Sequence, residues 1–125
     1  MLLDTNFLIA LERELQAVRV GPARRFLTGH RDRPVLVSVV SVGELAAGMV
    51  DNETARQFFR RFRVVNLFAE LALTAAEVDR ELQVAGARLG ENDNWLAGTA
   101  RYYGQPIVSN DRDFDRVPGL RRLRY

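Results

Sequence analysis

The stretch PVLVSVV, residues 34–40, is almost continuously apolar and rich in valine. A strand with one face in water alternates wet and dry side chains, whereas a strand covered on both faces does not. Similar short runs occur at residues 1–4 (MLLD), 64–67 (VVNL) and 106–110 (PIVSN), and LRRLRY at 120–125 reads as a last short strand. The segments between them have helical spacing. Phe7, Leu8, Leu11 and Leu15 recur that way over 6–15. Residues 22–29 place Pro22 in a first turn and Gly29 at an end. Residues 41–49 read as a helix begun by Ser41, and 51–62 as one capped by Asp51 or Asn52. In TAAEVDRELQVAGARL, Thr74 and Glu77 have capping-box spacing, Val78, Leu82, Ala85 and Leu89 form one stripe, and Gly90 is placed to stop the helix. NDNWLAGTARYYG reads as a helix ended by Gly104, and DRDFDRVPG as a loop with one helical turn. Buried strands alternating with helices predict a mostly parallel sheet with helices on both faces, an α/β fold.

The 125 residues suit one domain over 1–125, with no linker, repeat or low-complexity segment. No apolar run reaches the roughly 18 residues of a membrane span. Asp4 interrupts any signal-peptide pattern, so a cytoplasmic protein is expected, with no membrane partner. The absence of cysteine excludes disulfides and thiolate metal sites, and a lone histidine, His30, leaves almost no scope for zinc. All 18 basic residues are arginine. Without lysine, Schiff-base chemistry and the lysine of a phosphate-binding P-loop are excluded. The net charge is only +2, so the pI of about 9.6 is a weak pointer to nucleic acid.

The carboxylates are more informative. Ligands of open parallel sheets bind beyond the carboxyl ends of the strands. Asp4 ends the first strand, Glu44 follows the second in the next helix, Asp93 opens a helix, and Asp111 and Asp113 follow the PIVSN strand. Each of these acids also has an ordinary reading. An aspartate at a helix start is often a cap, and one after a strand is often a turn residue. Glu44 resists that reading, because Ala47 and Gly48 on its face are small enough to pack closely on the sheet. Ala97 and Ala100 lie below Asp93 in the same way. Several acids on one rim repel one another, and no lysine is available to neutralise them. A hard divalent cation, Mg2+ or Mn2+, prefers oxygen ligands and would neutralise them.

LLDTN at the start, SVVSVGEL around Glu44, NDNWLAGTA around Asp93 and IVSNDRDFDRV near the end together resemble the PIN-domain ribonucleases over nearly the whole chain. The likeness is to the small VapC-type toxins of toxin–antitoxin pairs. It implies a three-layer α/β/α sandwich and an endoribonuclease dependent on Mg2+ or Mn2+. It also implies an RNA substrate, a homodimer and a small antitoxin as partner. The acids carried over are Asp4, Glu44, Asp93 and Asp111, with Asp113 joining or replacing Asp111. Asn6 and Ser109 match supporting polar positions, and Gly98 stands where alanine is usual in the third motif.

Other segments read in two ways. RQFFRRFR at 56–63 is either an RNA-stacking surface or an amphipathic helix burying Phe58, Phe59 and Phe62 with Arg56, Arg60 and Arg63 wet. Arg24, Arg25, Arg31 and Arg33 are either phosphate contacts or solvated charge. His30 is expected at the surface, and Trp95 and Tyr103 in core or dimer contacts. Aspartate-nucleophile phosphatases and receiver domains also place acids at strand ends, but both use a lysine that this chain lacks. A catalytically silent PIN-fold binding module is the main competing function.

Overall fold

The computed structural model describes residues 1–125. The elements in chain order are β1 (Leu2–Leu3), α1 (Thr5–Gln16), α2 (Pro22–Gly29), β2 (Leu36–Ser38), α3 (Val39–Ala46) and α4 (Asn52–Phe59), then β3 (Arg63–Val65), α5 (Ala69–Val84), α6 (Glu91–Tyr102), β4 (Ile107–Val108), a 3-10 turn (Arg112–Arg116) and β5 (Arg122–Leu123). The five strands are all parallel and lie in the order β3-β2-β1-β4-β5. Leu2 pairs with Leu36 on one side and Ile107 on the other.

The period of two along each strand divides the interior. Leu3, Val37 and Val108 point to one face, where they meet Phe7, Leu8 and Leu11 of α1, Ala23 of α2, Leu45 of α3 and Phe58 of α4. Leu2, Leu36 and Ile107 point to the other, where they meet Val78 and Leu82 of α5 and Leu96, Ala97 and Ala100 of α6. This is the three-layer α/β/α sandwich expected from strands with no wet face. No helix is long and apolar enough to cross a membrane.

Several boundaries differ from the sequence reading. Ser38, not Ser41, caps α3, its hydroxyl accepting from the Val40 N–H at 3.1 Å. Val39 and Val40 therefore belong to the helix despite their β-branched character. The stretch from 74 to 89 is also out of phase with its helix. α5 begins at Ala69 and ends at Val84, so Thr74 sits inside it and donates to the Glu70 carbonyl instead of capping. Gly86, at φ 65°, is the turn residue after it. Gly90 instead precedes α6 at its N-cap. Asp51 caps α4 as expected. In the arginine–phenylalanine stretch, Phe58 and Phe59 are buried, Phe62 packs against them, and Arg56, Arg60 and Arg63 are exposed, which is the amphipathic reading.

Two packing details hold the site's scaffold. Glu14 takes an interior position of α1 and is only 2% exposed. Its carboxylate accepts from the backbone N–H groups of Gly21 (3.1 Å), Ala23 (3.0 Å) and Arg24 (2.9 Å), so it satisfies the start of α2 from a neighbouring helix. A Cβ at Gly21 would collide with that carboxylate. Burial alone would raise the Glu14 pKa, but the three N–H donors, helped by Arg19, outweigh it and hold the group below the usual range. On the other face α5 and α6 touch at Gly98, where a Cβ would lie 2.5 Å from the Ala75 Cβ and 2.6 Å from its Cα.

Replacing Gly98 by alanine gains up to about 1 kcal/mol of helix propensity, but overpacking against Ala75 backbone costs about 1–3 kcal/mol. Gly98→Ala is expected to lose roughly 1–2 kcal/mol by urea unfolding, and a gain would show that the helices separate freely. Glu14→Gln leaves buried N–H donors short of acceptors and is expected to cost about 2–3 kcal/mol at neutral pH. Because the folded carboxyl has the lower pKa, its stabilisation is present above the ordinary glutamate range and is lost as pH falls through the folded value. The gap between wild type and Glu14→Gln should therefore narrow in acid, and a gap independent of pH would contradict the assignment.

Candidate functional site

In this strand order the chain leaves β1 toward β2 and β3, then crosses back through α5 and α6 to place β4 on β1's other side. The crevice at such a reversal lies beyond the ends of β1 and β4. Asp4 follows β1 directly, and Ser109 follows β4. A hollow of about 200 Å³ opens there, lined by Asp4, Thr5, Asn6, Ile9, Glu44, Asp93, Asp111 and Phe114. Acids from four separate segments thus share one space.

Asp4 is 3% exposed. Its Oδ1 accepts from the Phe7 N–H at 2.7 Å, which caps α1, and its own N–H donates to the Val108 carbonyl. Burial raises its pKa, the Ser109 hydroxyl and the Phe7 N–H oppose the rise, and Asp93 and Asp111 add to it. Asp93 lies in the first turn of α6 but does not cap it, since the N-cap is Gly90 with no side-chain bond. Its pKa is raised by burial, then by the charges of Asp111, Glu44 and Asp113. The Tyr125 hydroxyl is pushed up to about 12 by burial, with Asp4 and Glu14 contributing. The site is a region of concentrated negative charge with Asp93 at its electrostatic centre.

Glu44 corrects one expectation. It is exposed, as are Ala47 and Gly48, so it does not point into a packed face. The stripe of α3 that faces the core carries Ser41 and Leu45, and Glu44 projects to the open rim. It is fixed there by Thr5, whose hydroxyl donates to its Oε1 at 2.7 Å. With that proton committed, the 2.9 Å contact between Thr5 and Ser41 hydroxyls runs from Ser41 as donor to Thr5 as acceptor. Neither Thr5 nor Ser41, the latter read only as a helix start, was among the site residues expected from the sequence, although Thr5 lies inside the LLDTN stretch.

Asp111 and Asp113 are separated by the structure. Asp111 lines the hollow, receives the Asp113 N–H on Oδ1 and donates its own N–H to Ser109 Oγ at 3.0 Å. Asp113 is outside the lining and pairs with Arg116 at 2.9 Å, though its charge still reaches Asp93. Asn6 lines the hollow, and Ser109 is fully buried behind Asp4. Phe114, absent from the sequence-based site, forms part of the wall while anchoring the core. As the side chains stand, no three acids converge on one point that would hold a metal ion. The donors available to a cation are carboxylates around a hollow, an arrangement that suits Mg2+, which keeps several waters and takes one or two carboxylates directly.

The other candidates fall away from this place. The Arg24 and Arg25 guanidinium groups fold back to donate to the carbonyls of Arg19 and Val20. His30 stacks on Phe26 with ring centroids 4.1 Å apart and bonds the Phe26 carbonyl through Nδ1.

The PIN-domain family model matches residues 1–120. The chain is 29% identical over 128 residues to Ribonuclease VapC4 of Mycobacterium tuberculosis, covering 95% of this chain and 92% of that protein. It is 32% identical over 93 residues to Ribonuclease VapC2 of Haemophilus influenzae, covering 68% of this chain and 70% of that one. The crystal structure of DNA-bound VapBC from Salmonella typhimurium matches with a TM-score of 0.83 at 25% identity, covering 98% of this chain and 96% of that chain. The chain with these four acids around the β1–β4 crevice belongs to the PIN-domain family and is closely related to the VapC toxins of type II toxin–antitoxin systems.

Proposed function

We propose that this protein is a metal-dependent endoribonuclease and the toxin of a toxin–antitoxin pair, neutralised by a small cognate antitoxin and acting as a homodimer. The observation that carries the reading is that Asp4, Glu44, Asp93 and Asp111 line one hollow, with Asp4 and Asp93 both raised in pKa by burial and by neighbouring acids. Acids held in mutual repulsion beside a strand end are suited to a cation, and the named ribonucleases among the relatives indicate RNA as substrate.

Asp4 and Asp93 are the central metal-holding residues in this reading, directly or through water. Glu44, oriented by Thr5, and Asp111, held by Ser109, complete the set or direct the attacking water. Asp113 is the weaker claimant to the fourth position, because Arg116 already holds its carboxylate. The Asn6 amide is placed to donate to a carboxylate or to the substrate phosphate. Bound Mg2+ or Mn2+ supplies water activation and neutralises charge on the phosphate under attack. In-line attack by water breaks the bond to the 3′ oxygen and leaves a 5′-phosphate and a 3′-hydroxyl.

Incubation of a mixed pool of tRNA, rRNA fragments and mRNA with Mg2+ or Mn2+ is expected to yield discrete products with those ends. Chelator should abolish them, and Asp93→Asn should reduce cleavage by at least about a hundredfold. Equal cleavage by wild type and Asp93→Asn would remove the catalytic assignment, and metal-dependent RNA binding without cleavage would indicate a silent binding module. A second outcome concerns the metal-free protein. A carboxyl whose folded pKa lies above its unfolded value destabilises the fold once ionised in both states, an effect that vanishes below the ordinary aspartate range. Asp93→Asn should therefore melt a few degrees higher than wild type at neutral pH, with the advantage shrinking in acid. Mg2+ should raise the melting temperature of wild type more than that of the variant. A lower melting temperature for metal-free Asp93→Asn would mean that the carboxylate supports the helix instead.

A further inference from the structure

Arg122 is the least exposed arginine of any ion pair in the chain. Its side chain is 9% exposed, whereas the other paired arginines lie between 28% and 76%. It sits on β5, opposite Ile107 of β4. Nε and Nη2 donate to the two carboxylate oxygens of Asp115, both at 2.8 Å, and Nη1 donates to the Ser109 carbonyl at 3.1 Å. Ser109 ends the β4 segment and Asp115 lies on the 3-10 turn, so the two groups bracket Asp111. Within the bracket, Asp111 is tied to the Ser109 hydroxyl through its N–H and to the Asp113 N–H through its carboxylate. Arg122 itself does not line the hollow.

We propose that Arg122 is a positioning residue for Asp111: one guanidinium, bonded at once to the Ser109 carbonyl and the Asp115 carboxylate, fixes both ends of the segment that carries the fourth acid into the hollow. The proposal rests on the nuclease reading, in which Asp111 serves the metal site. A bidentate hold on a carboxylate plus a third bond to a carbonyl requires the planar fork of arginine, which lysine cannot reproduce. Asp115 is 53% exposed, so the pair by itself is a modest source of stability and its geometry is the larger contribution. The groups that support metal-bound carboxylates typically change metal affinity or activity by about 10–100-fold when altered.

The test is Mn2+ binding to chelator-treated protein by calorimetry, with RNA cleavage kinetics alongside, for wild type, Arg122→Lys, Asp115→Asn, Asp111→Asn and the double variant Arg122→Lys/Asp111→Asn. The expected result is that Arg122→Lys and Asp115→Asn each weaken Mn2+ binding by about tenfold or more, with kcat lowered and KM for RNA unchanged. In the Asp111→Asn background, Arg122→Lys should have no further effect, since it acts through a carboxylate already removed. Wild-type affinity in Arg122→Lys and Asp115→Asn, alongside a loss in Asp111→Asn, would overturn the proposal while leaving the nuclease reading intact. An undiminished effect of Arg122→Lys in the Asp111→Asn background would overturn it too, by showing a general structural role. Equal Mn2+ binding by wild type and Asp111→Asn would instead overturn the assignment of Asp111 and the proposal with it. Asp115→Asn, altered at the exposed end of the brace, keeps the test decisive if Arg122→Lys does not fold.

Discussion

Leu2 and Leu3 pair with a strand on each side, and the ladder runs on beyond them: Leu36 N–H of β2 donates to the Met1 carbonyl, and Leu2 N–H donates to the Pro106 carbonyl just before β4. This double pairing fixes the height at which β1 stops, and so the position of Asp4. The next backbone bond, from Asp4 N–H to the Val108 carbonyl, extends the pairing by one residue. The Asp4 side chain then turns to cap α1. One residue thus ends the central strand, starts the first helix and faces the crevice, which leaves its carboxylate no freedom to relax away from Asp93 and Asp111.

Glu14, inside the helix that Asp4 caps, offers a contrast. Both carboxylates are almost fully removed from water, yet Asp4 is raised and Glu14 lowered. The donors decide the difference. Glu14 receives three backbone N–H bonds and has an arginine nearby, which together outweigh its desolvation. Asp4 receives one backbone N–H and help from Ser109, while two further acids act against it. Burial is common to both, so burial alone does not mark a site. Arg122, which feels the Asp111 charge, is already engaged by Asp115 and does not enter the hollow.

The architecture was legible because each central strand is apolar on consecutive residues, a pattern only a doubly covered strand sustains. Asp4, Glu44, Asp93 and Asp111 were legible because strand ends and the helices after them are where a parallel sheet gathers chemistry. The register of α3 was not, since Val39 and Val40 favour a strand locally and only the buried Ser38 hydroxyl starts the helix there. Glu44 was expected in a packed face because Ala47 and Gly48 beside it are small, yet all three are exposed. The Thr74–Glu77 spacing imitated a helix start inside α5, because a threonine in mid-helix can return its hydroxyl to the carbonyl four residues back. Glu14 was hidden by its apolar neighbours: a buried acid whose partners come from a different helix leaves no spacing signal in the chain.

The strand order also governs when the four acids come together. β1 has β4 as one of its two neighbours, and Asp4 meets Asp111 across more than a hundred positions of chain. Contacts so distant in sequence form late, after the loop between them has been closed. On a ribosome, β1, α1 and β2 can associate early, but the hollow lacks two of its four acids until α6 and the turn after β4 have emerged. A truncated or stalled product therefore carries the first carboxylate without the assembled cluster. The same topology that makes the sheet slow to complete leaves the four acids unassembled until β4 and the turn after it are in place.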